Sequence, residues 1–153
     1  MNGAAPPPDW EAQAQRALER GARVDAWIPA FLLDSPISRL GFLWATAVGA
    51  LWGALWSTGR VERVGELLVF RGMPTWSYRR GGTCVGRCYL TGGNTSAGVL
   101  AHEAVHVRQW RRYGMLMPLL YALAGRDARR NRFEIEAGLV RGGYVAARHA
   151  RTR

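Results

Sequence analysis

The sequence predicts an α+β fold in which a small domain of short strands and two helices follows an N-terminal apolar helix. Three observations support this fold class. Residues 60–91 contain short β-branched and aromatic runs separated by glycines, a pattern typical of short antiparallel strands. A helix is expected to run to about Tyr113, because Thr95 or Ser96 can cap its start and Gly114 ends it. Leu40–Gly59 is a run of twenty residues without a charge.

These features divide the chain into three segments. Residues 1–39 form a proline-containing leader and a short helix that is capped by Asp9 and ended by Gly21. Residues 40–59 form the apolar helix, and residues 60–153 form the α+β domain. With 153 residues, 48% of them hydrophobic, the chain is long enough to bury the core of one ordinary domain.

The apolar segment has the length of a membrane span. As a helix, Leu40–Gly59 would extend about 30 Å, the thickness of a bilayer core. Small residues recur every fourth position and form a ridge that lets another helix approach closely: Gly41, Ala45, Gly49, Gly53 and Ser57. The sequence therefore predicts a membrane-associated, single-pass protein. A buried helix within the domain is the alternative interpretation.

The charge is basic and unevenly distributed. All 21 basic residues are arginine against 11 acids, a net charge of +10, and the excess lies in residues 60–153. Such a surface attracts anionic partners, although a solvated arginine-rich face is an equal alternative. No nucleic-acid-binding motif is present, so we expect membrane lipid rather than a specific nucleic acid as the partner. The same charge weakly favours a cytoplasmic location for residues 60–153, and the oligomeric state is not indicated.

The strands are expected in a hairpin over Val61–Arg71 and in two later runs, Trp76–Arg79 and Thr83–Leu90. Cys84 and Cys88 both fall in the last run. Residues four apart in one strand are roughly 13 Å from each other, too far for a disulfide. Both cysteines are therefore predicted to be reduced.

Residues 102–106 read His-Glu-Ala-Val-His, within the predicted helix. On a helix His102 and His106 project from one face, one turn apart, so both imidazoles can reach a single ion. Glu103 is turned about 100° from His102, which places its carboxylate beside a water on the metal rather than on the metal itself. The motif predicts a Zn²⁺ site with Glu103 as the general base.

A catalytic zinc needs a third protein ligand and an open position for water. A last helix, predicted from about Asn131 to about Ala147, carries two acids that point roughly 200° apart, so only one can face the ion. We predict Glu134, because it shares its face with small residues that allow the two helices to approach. Glu136 and His149 are the alternatives.

The His-Glu-Ala-Val-His helix followed by Phe-Glu-Ile-Glu-Ala at 133–137 resembles the Glu-zincin peptidases, including membrane-embedded ones. The resemblance implies a zincin-like domain in which Glu134 is the third ligand. Gly138 stands where the family pattern has aspartate. More closely, residues 60–144 resemble small, largely uncharacterised bacterial proteins assigned as metallopeptidases, which also place an apolar segment before the catalytic domain. The stretches that carry this resemblance are GGTCVGRCYLT at 81–91, LAHEAVHVRQWRRYG at 100–114 and NRFEIEAG at 131–138.

The predicted function is zinc-dependent hydrolysis of a peptide or protein substrate. The strand Thr83–Leu90 is expected to offer an edge to which the substrate adds as another strand. Four side chains are candidates for stabilising the oxyanion: Tyr113, Tyr144, Arg108 and His149.

Two other functions compete with this prediction. One is a non-catalytic, membrane-associated metalloprotein in which the site fixes a scaffold. The other is a basic module that binds lipid or nucleic acid.

Overall fold

The computed structural model describes residues 9–78 and 81–145 and confirms the α+β class. Two helices come first, α1 (Trp10–Trp27) and α2 (Pro36–Trp56). Four strands follow, β1 (Val61–Val64), β2 (Leu67–Phe70), β3 (Gly82–Val85) and β4 (Cys88–Thr91). Three further helices complete the described chain: α3 (Ala97–Tyr113), α4 (Met117–Ala124) and α5 (Arg132–Ala137).

The sheet is mixed rather than purely antiparallel, in the order β1-β2-β4-β3. The pairs β1–β2 and β3–β4 are antiparallel, but β2 and β4 run parallel. The predicted single strand Thr83–Leu90 is wrong, because the chain reverses at Gly86, whose φ is +59°. Glycine adopts this conformation without strain. The resulting hairpin makes β3 an edge strand, and Trp76–Tyr78 belong to a turn rather than to a strand.

The two cysteines are unpaired, as expected, although not for the reason expected. They lie on the two arms of the β3–β4 hairpin, where Cys84 is opposite Tyr89 and Val85 is opposite Cys88. Burial raises the pKa of both thiols, that of Cys88 to about 11. Both side chains are therefore protonated at neutral pH.

The small residues of α2 face the interior of the domain. Gly49 lies against Val85 and Cys88 of the hairpin, and Gly53 lies against the ring of Phe70. Near the start of the helix, Gly41 touches the main chain at the 3₁₀ turn Gly114–Leu116, where a Cβ would lie 2.6 Å from the nitrogen of Met115. The ridge thus allows the sheet and the end of α3 to approach α2 closely.

The predicted membrane span is wrong. Over residues 9–78 and 81–145, no helix combines the length and the hydropathy needed to cross a bilayer. The run Leu40–Gly59 lacks charge, but four of its residues are glycines, which add little hydropathy. Its outer face does expose large apolar side chains, including Leu40, Trp44 and Leu51. The single-pass, membrane-associated location expected from the sequence is corrected accordingly.

Helix α3 packs against the sheet and carries much of the core. Ser96 caps it by accepting from the N–H of Val99, and Gly114 ends it with a φ of +53°. The indole N–H of Trp110 donates to the carbonyl of Cys84 at 2.9 Å, which fixes the helix to β3. The side chains that share this core are Phe42, Ala45, Leu67, Val69, Tyr89, Val99, Val107, Trp110, Tyr113, Met117, Leu120 and Phe133.

Helix α1 does not end at Gly21 as predicted, and it supports α5. A side chain at Gly21 would overlap that of Arg132, the first residue of α5, so this glycine provides room. The Arg132 guanidinium donates to Asp25 at 2.7 Å, and the Tyr113 hydroxyl donates to the same carboxylate at 2.6 Å. Asp25 therefore joins α1 to both α3 and α5.

We expect Asp25→Asn to destabilise the fold, because it leaves the buried Arg132 without its counter-ion. Removing one partner of such a pair costs about 3 kcal/mol. Asp34→Asn is the matched control, since Asp34 pairs with Arg112 at the surface and such pairs contribute less than about 1 kcal/mol. Urea unfolding of both variants measures the difference. Equal losses would show that Asp25 does not hold α1 in place.

Candidate metal centre

Three buried side chains from two helices meet at one point. His102 and His106 project from one face of α3, and Glu134 reaches them from α5; their ligand atoms all lie within 4.8 Å of one another. The two Nε2 atoms are 3.1 Å apart, and Glu134 oxygens lie 3.1 Å from His102 Nε2 and 3.5 Å from His106 Nε2. Tetrahedral ligands 2.0–2.1 Å from one ion would be roughly 3.3–3.4 Å apart. The three residues could therefore hold a metal ion.

The outer nitrogen of each imidazole faces an oxygen that accepts a hydrogen bond. His102 Nδ1 lies 3.2 Å from the carbonyl oxygen of Gly138, and His106 Nδ1 lies 2.7 Å from Oε1 of Gln109. The amide of Gln109 is oriented by its own Nε2, which donates to the carbonyl of Phe133 and to Glu136. Both Nδ1 atoms must therefore carry a proton.

The positions of the Nδ1 protons determine whether a proton or a metal ion fits between the two Nε2 atoms and the Glu134 carboxylate. In neutral imidazoles with protonated Nδ1, both Nε2 atoms carry lone pairs, and here these face each other at 3.1 Å beside a carboxylate. This contact is favourable only if a proton or a metal ion lies between the three groups. Only a metal ion accepts electron pairs from all three residues at once.

The pKa of each of the three side chains depends on its burial and on the charges of the other two. Burial opposes a charge on His102, but the hydrogen bond and charge of Glu134 outweigh burial and raise its pKa. Burial lowers the pKa of His106 and keeps this ring neutral. Burial also opposes the Glu134 carboxylate, yet its contacts with both histidines and Tyr121 lower its pKa. Glu134 is thus anionic, as a metal ligand must be.

The predicted last helix is much shorter than expected. Helix α5 is capped by the Asn131 side chain and ends after six residues, because Gly138 adopts a φ of +96°. The chain then turns back over His102, and Gly142 lies so close that a side chain there would overlap the imidazole. Gly138 occupies the position where the family pattern has aspartate. Here its carbonyl, a main-chain group, accepts the proton of His102.

Glu103 lies beside the three residues without joining them. It is 8% exposed, and burial raises its pKa to about 7. Within the part of the chain that the structure describes, its carboxylate has no hydrogen-bond partner. A carboxyl group with a pKa near neutrality can both accept and release a proton at neutral pH. A cation held by the adjacent ligands would lower that pKa.

A cleft of about 490 Å³ opens over the site. All four residues of the edge strand β3 line it, together with apolar side chains that include Trp110 and Met117. The remaining lining residues are His102, Glu103, His106, Trp110, Met117, Pro118, Tyr121, Glu134 and Tyr144. The site is therefore open to a ligand that can lie along the edge strand.

Two tyrosines flank Glu134. The Tyr121 hydroxyl donates a short hydrogen bond to Oε1 of Glu134, a contact that the sequence did not indicate. Tyr144 stands beside the His102 ring, with the two ring centroids 5.9 Å apart, and lines the cleft. Burial, followed by the charge of Glu134, raises the pKa of both phenols, so both stay protonated donors.

The other candidates for an oxyanion donor do not reach the site. Tyr113 is occupied by Asp25 within the core, and Arg108 is exposed and does not line the cleft. His149, which was also the alternative third ligand, lies outside the described residues. Glu136 lies apart from the three ligands and accepts from Gln109 at 2.9 Å. Tyr144 is thus the candidate donor that the structure brings to the cleft.

Comparisons of the chain with known protein families, with curated proteins and with solved structures find no match. The resemblance to the Glu-zincins therefore rests on the motif residues, and the site has to be interpreted from its own geometry.

We expect Glu134→Gln to weaken metal binding far more than Glu136→Gln. The first change removes an anionic ligand, which should cost more than the roughly 10–100-fold that follows loss of an outer partner. The second leaves an amide oxygen that can still accept from Gln109. Titration of each purified variant with Co²⁺ and with Zn²⁺ against a chelator measures the affinities. If Glu136→Gln is the costlier change, the assignment of Glu134 as a ligand is wrong.

Proposed function

We propose that this chain is a zinc-dependent metallopeptidase in which His102, His106 and Glu134 hold the metal and Glu103 is the general base. The observation that carries the proposal is the pair of imidazole lone pairs that face each other beside a buried carboxylate. A metal ion between them would accept electron pairs from all three residues, and Glu103 lines the same cleft.

The donor set fits Zn²⁺. His102, His106 and Glu134 would supply two imidazole nitrogens and one carboxylate oxygen, the donor set of a catalytic zinc. Calcium and magnesium prefer all-oxygen ligands, so two histidines disfavour them. When bound, Zn²⁺ would supply Lewis acidity, making a water acidic and polarising a carbonyl group.

The residues around the site can perform the remaining steps of peptide hydrolysis. Glu103 accepts a proton from the attacking water and then delivers it to the leaving amine. The carboxylate of Glu103 thus ends the reaction in its starting protonation state. Its carboxylate is available because it has no partner among the described residues. Tyr144 donates its hydroxyl proton to the negative charge that develops on the carbonyl oxygen. Tyr121 holds Glu134 in place rather than contacting substrate.

Strand β3 supports a peptide as the substrate. Among the described strands it pairs with β4 alone, and its four residues line the same cleft as the three ligands. An extended peptide that adds to this edge would gain main-chain hydrogen bonds and would pass its backbone carbonyls over the site. Its side chains would meet the apolar wall that includes Trp110 and Met117.

The proposal predicts about one zinc per chain in the purified protein and hydrolysis of unstructured peptides. Glu103→Gln should retain zinc but lower kcat by roughly 10²–10⁴-fold, because the amide cannot accept the proton. Zinc content is measured by mass spectrometry and cleavage by a peptide library. Glu62→Gln is the control, since Glu62 lies on β1, is exposed and pairs with Arg71.

Two results would contradict the proposal in different ways. Equal zinc in the wild type and in His102→Ala would show that the site does not bind metal. Zinc binding without any cleavage that depends on Glu103 would favour the non-catalytic metalloprotein.

A second prediction concerns Tyr144. Tyr144→Phe should keep zinc and leave KM nearly unchanged while lowering kcat by about 10²-fold, the effect of losing one oxyanion donor. Steady-state kinetics at saturating zinc separate the two parameters. An unchanged kcat would exclude Tyr144 from that role.

A further inference from the structure

Gln109 connects the two helices that carry the metal ligands. It is 5% exposed and lies one turn after His106 on α3. Its Oε1 accepts from His106 Nδ1 at 2.7 Å, while its Nε2 donates to the carbonyl of Phe133 at 3.1 Å and to Oε2 of Glu136 at 2.9 Å. One amide therefore contacts the candidate ligand His106 on α3 and two residues on either side of Glu134 in α5, Phe133 and Glu136.

The two ends of this amide have different tasks. Its oxygen determines which nitrogen of His106 carries the proton and so leaves Nε2 free to bind a cation. Its nitrogen determines where α5 lies relative to α3, because Phe133 precedes Glu134 and Glu136 follows it by two residues. Glu136 also fixes the orientation of the amide, since a carboxylate accepts only from the NH₂ end.

We propose that Gln109 is a positioning residue of the metal site. It sets the tautomer of His106 and holds the Glu134 oxygens at coordinating distance, and the Glu136 carboxylate acts through it. This proposal rests on the proposed function, since it assumes that the three residues bind zinc. Its alternative is that Gln109 only satisfies buried polar groups and stabilises the fold.

The two ends of the amide can be tested separately. Gln109→Met keeps the length of the side chain but removes all three hydrogen bonds, and zinc affinity should fall about 10–100-fold. Gln109→Glu keeps an acceptor for His106, but it loses the donor to α5 and repels Glu136. Adding Glu136→Gln to Gln109→Glu restores a donor opposite the new carboxylate, so about 10-fold of the affinity should return.

A role limited to stability is excluded by two further measurements on the zinc-free protein. The ¹⁵N shifts of His106 should report a protonated Nδ1 in the wild type and in Gln109→Glu, and loss of that preference in Gln109→Met. Asn131→Ala is the matched control, because Asn131 is a buried amide that caps α5 and does not touch either histidine. It should lower the Tm without changing the tautomer of His106.

The outcomes separate this proposal from the proposed function. A wild-type chain that binds no zinc would overturn both. A wild-type chain that binds zinc, with Gln109→Met within threefold of its affinity and with an unchanged tautomer, would overturn only the role of Gln109. Failure of Glu136→Gln to recover affinity in the double variant would overturn the coupling to α5.

Discussion

The arrangement at the centre of this structure depends on one electrostatic constraint: two imidazole nitrogens and a carboxylate are buried together, and a proton or a metal ion must lie among them. Burial makes this constraint strict, because water does not screen the groups. The Nδ1 protons of His102 and His106 are held by fixed oxygens, so rotation of the rings or exchange of tautomers cannot relieve it. The fold therefore maintains a site that could hold a metal ion.

The packing of the rest of the chain serves to hold α3 and α5 in contact. The small residues of α2 allow the sheet and the end of α3 to approach, and Asp25 of α1 binds Arg132 at the start of α5. Helix α5 has only six residues and could not hold Glu134 in place by itself, since isolated short helices are unstable in water. Its position comes from α1 on one side and from Gln109 on the other.

The parts of the site that the sequence predicts are those set by local geometry. The spacing of His102 and His106 follows from the helical repeat, and the opposite directions of Glu134 and Glu136 follow from helix phase. Tyr121 and Gln109 were missed, because nothing local marks a tyrosine or a glutamine as the partner of a residue on another helix. The hydrogen-bond pattern that orients Gln109 exists only once α3 and α5 are packed together.

The errors in the fold predicted from the sequence have a similar origin. The small-residue ridge of α2 was recognised as a surface for close packing, but its partners are the sheet and the turn at Gly114 rather than another membrane helix. The strand pattern over residues 83–90 hid a hairpin, because alternation of side chains continues through the two-residue turn at Gly86. Periodicity thus identified which residues pack, but it could not identify what they pack against.

The glycines after Glu134 show how the chain gives His102 an outer partner without the aspartate of the Glu-zincin pattern. At Gly138 and Gly143 positive φ values turn the chain back toward α3 instead of continuing α5. This turn places the Gly138 carbonyl at His102 Nδ1, and the missing side chain of Gly142 leaves space for the imidazole. A carbonyl oxygen accepts the Nδ1 proton as a carboxylate does, but without adding a negative charge. The outer partners of both histidines, the Gly138 carbonyl and the Gln109 amide, are therefore neutral, and Glu134 supplies the one carboxylate among the three candidate ligands.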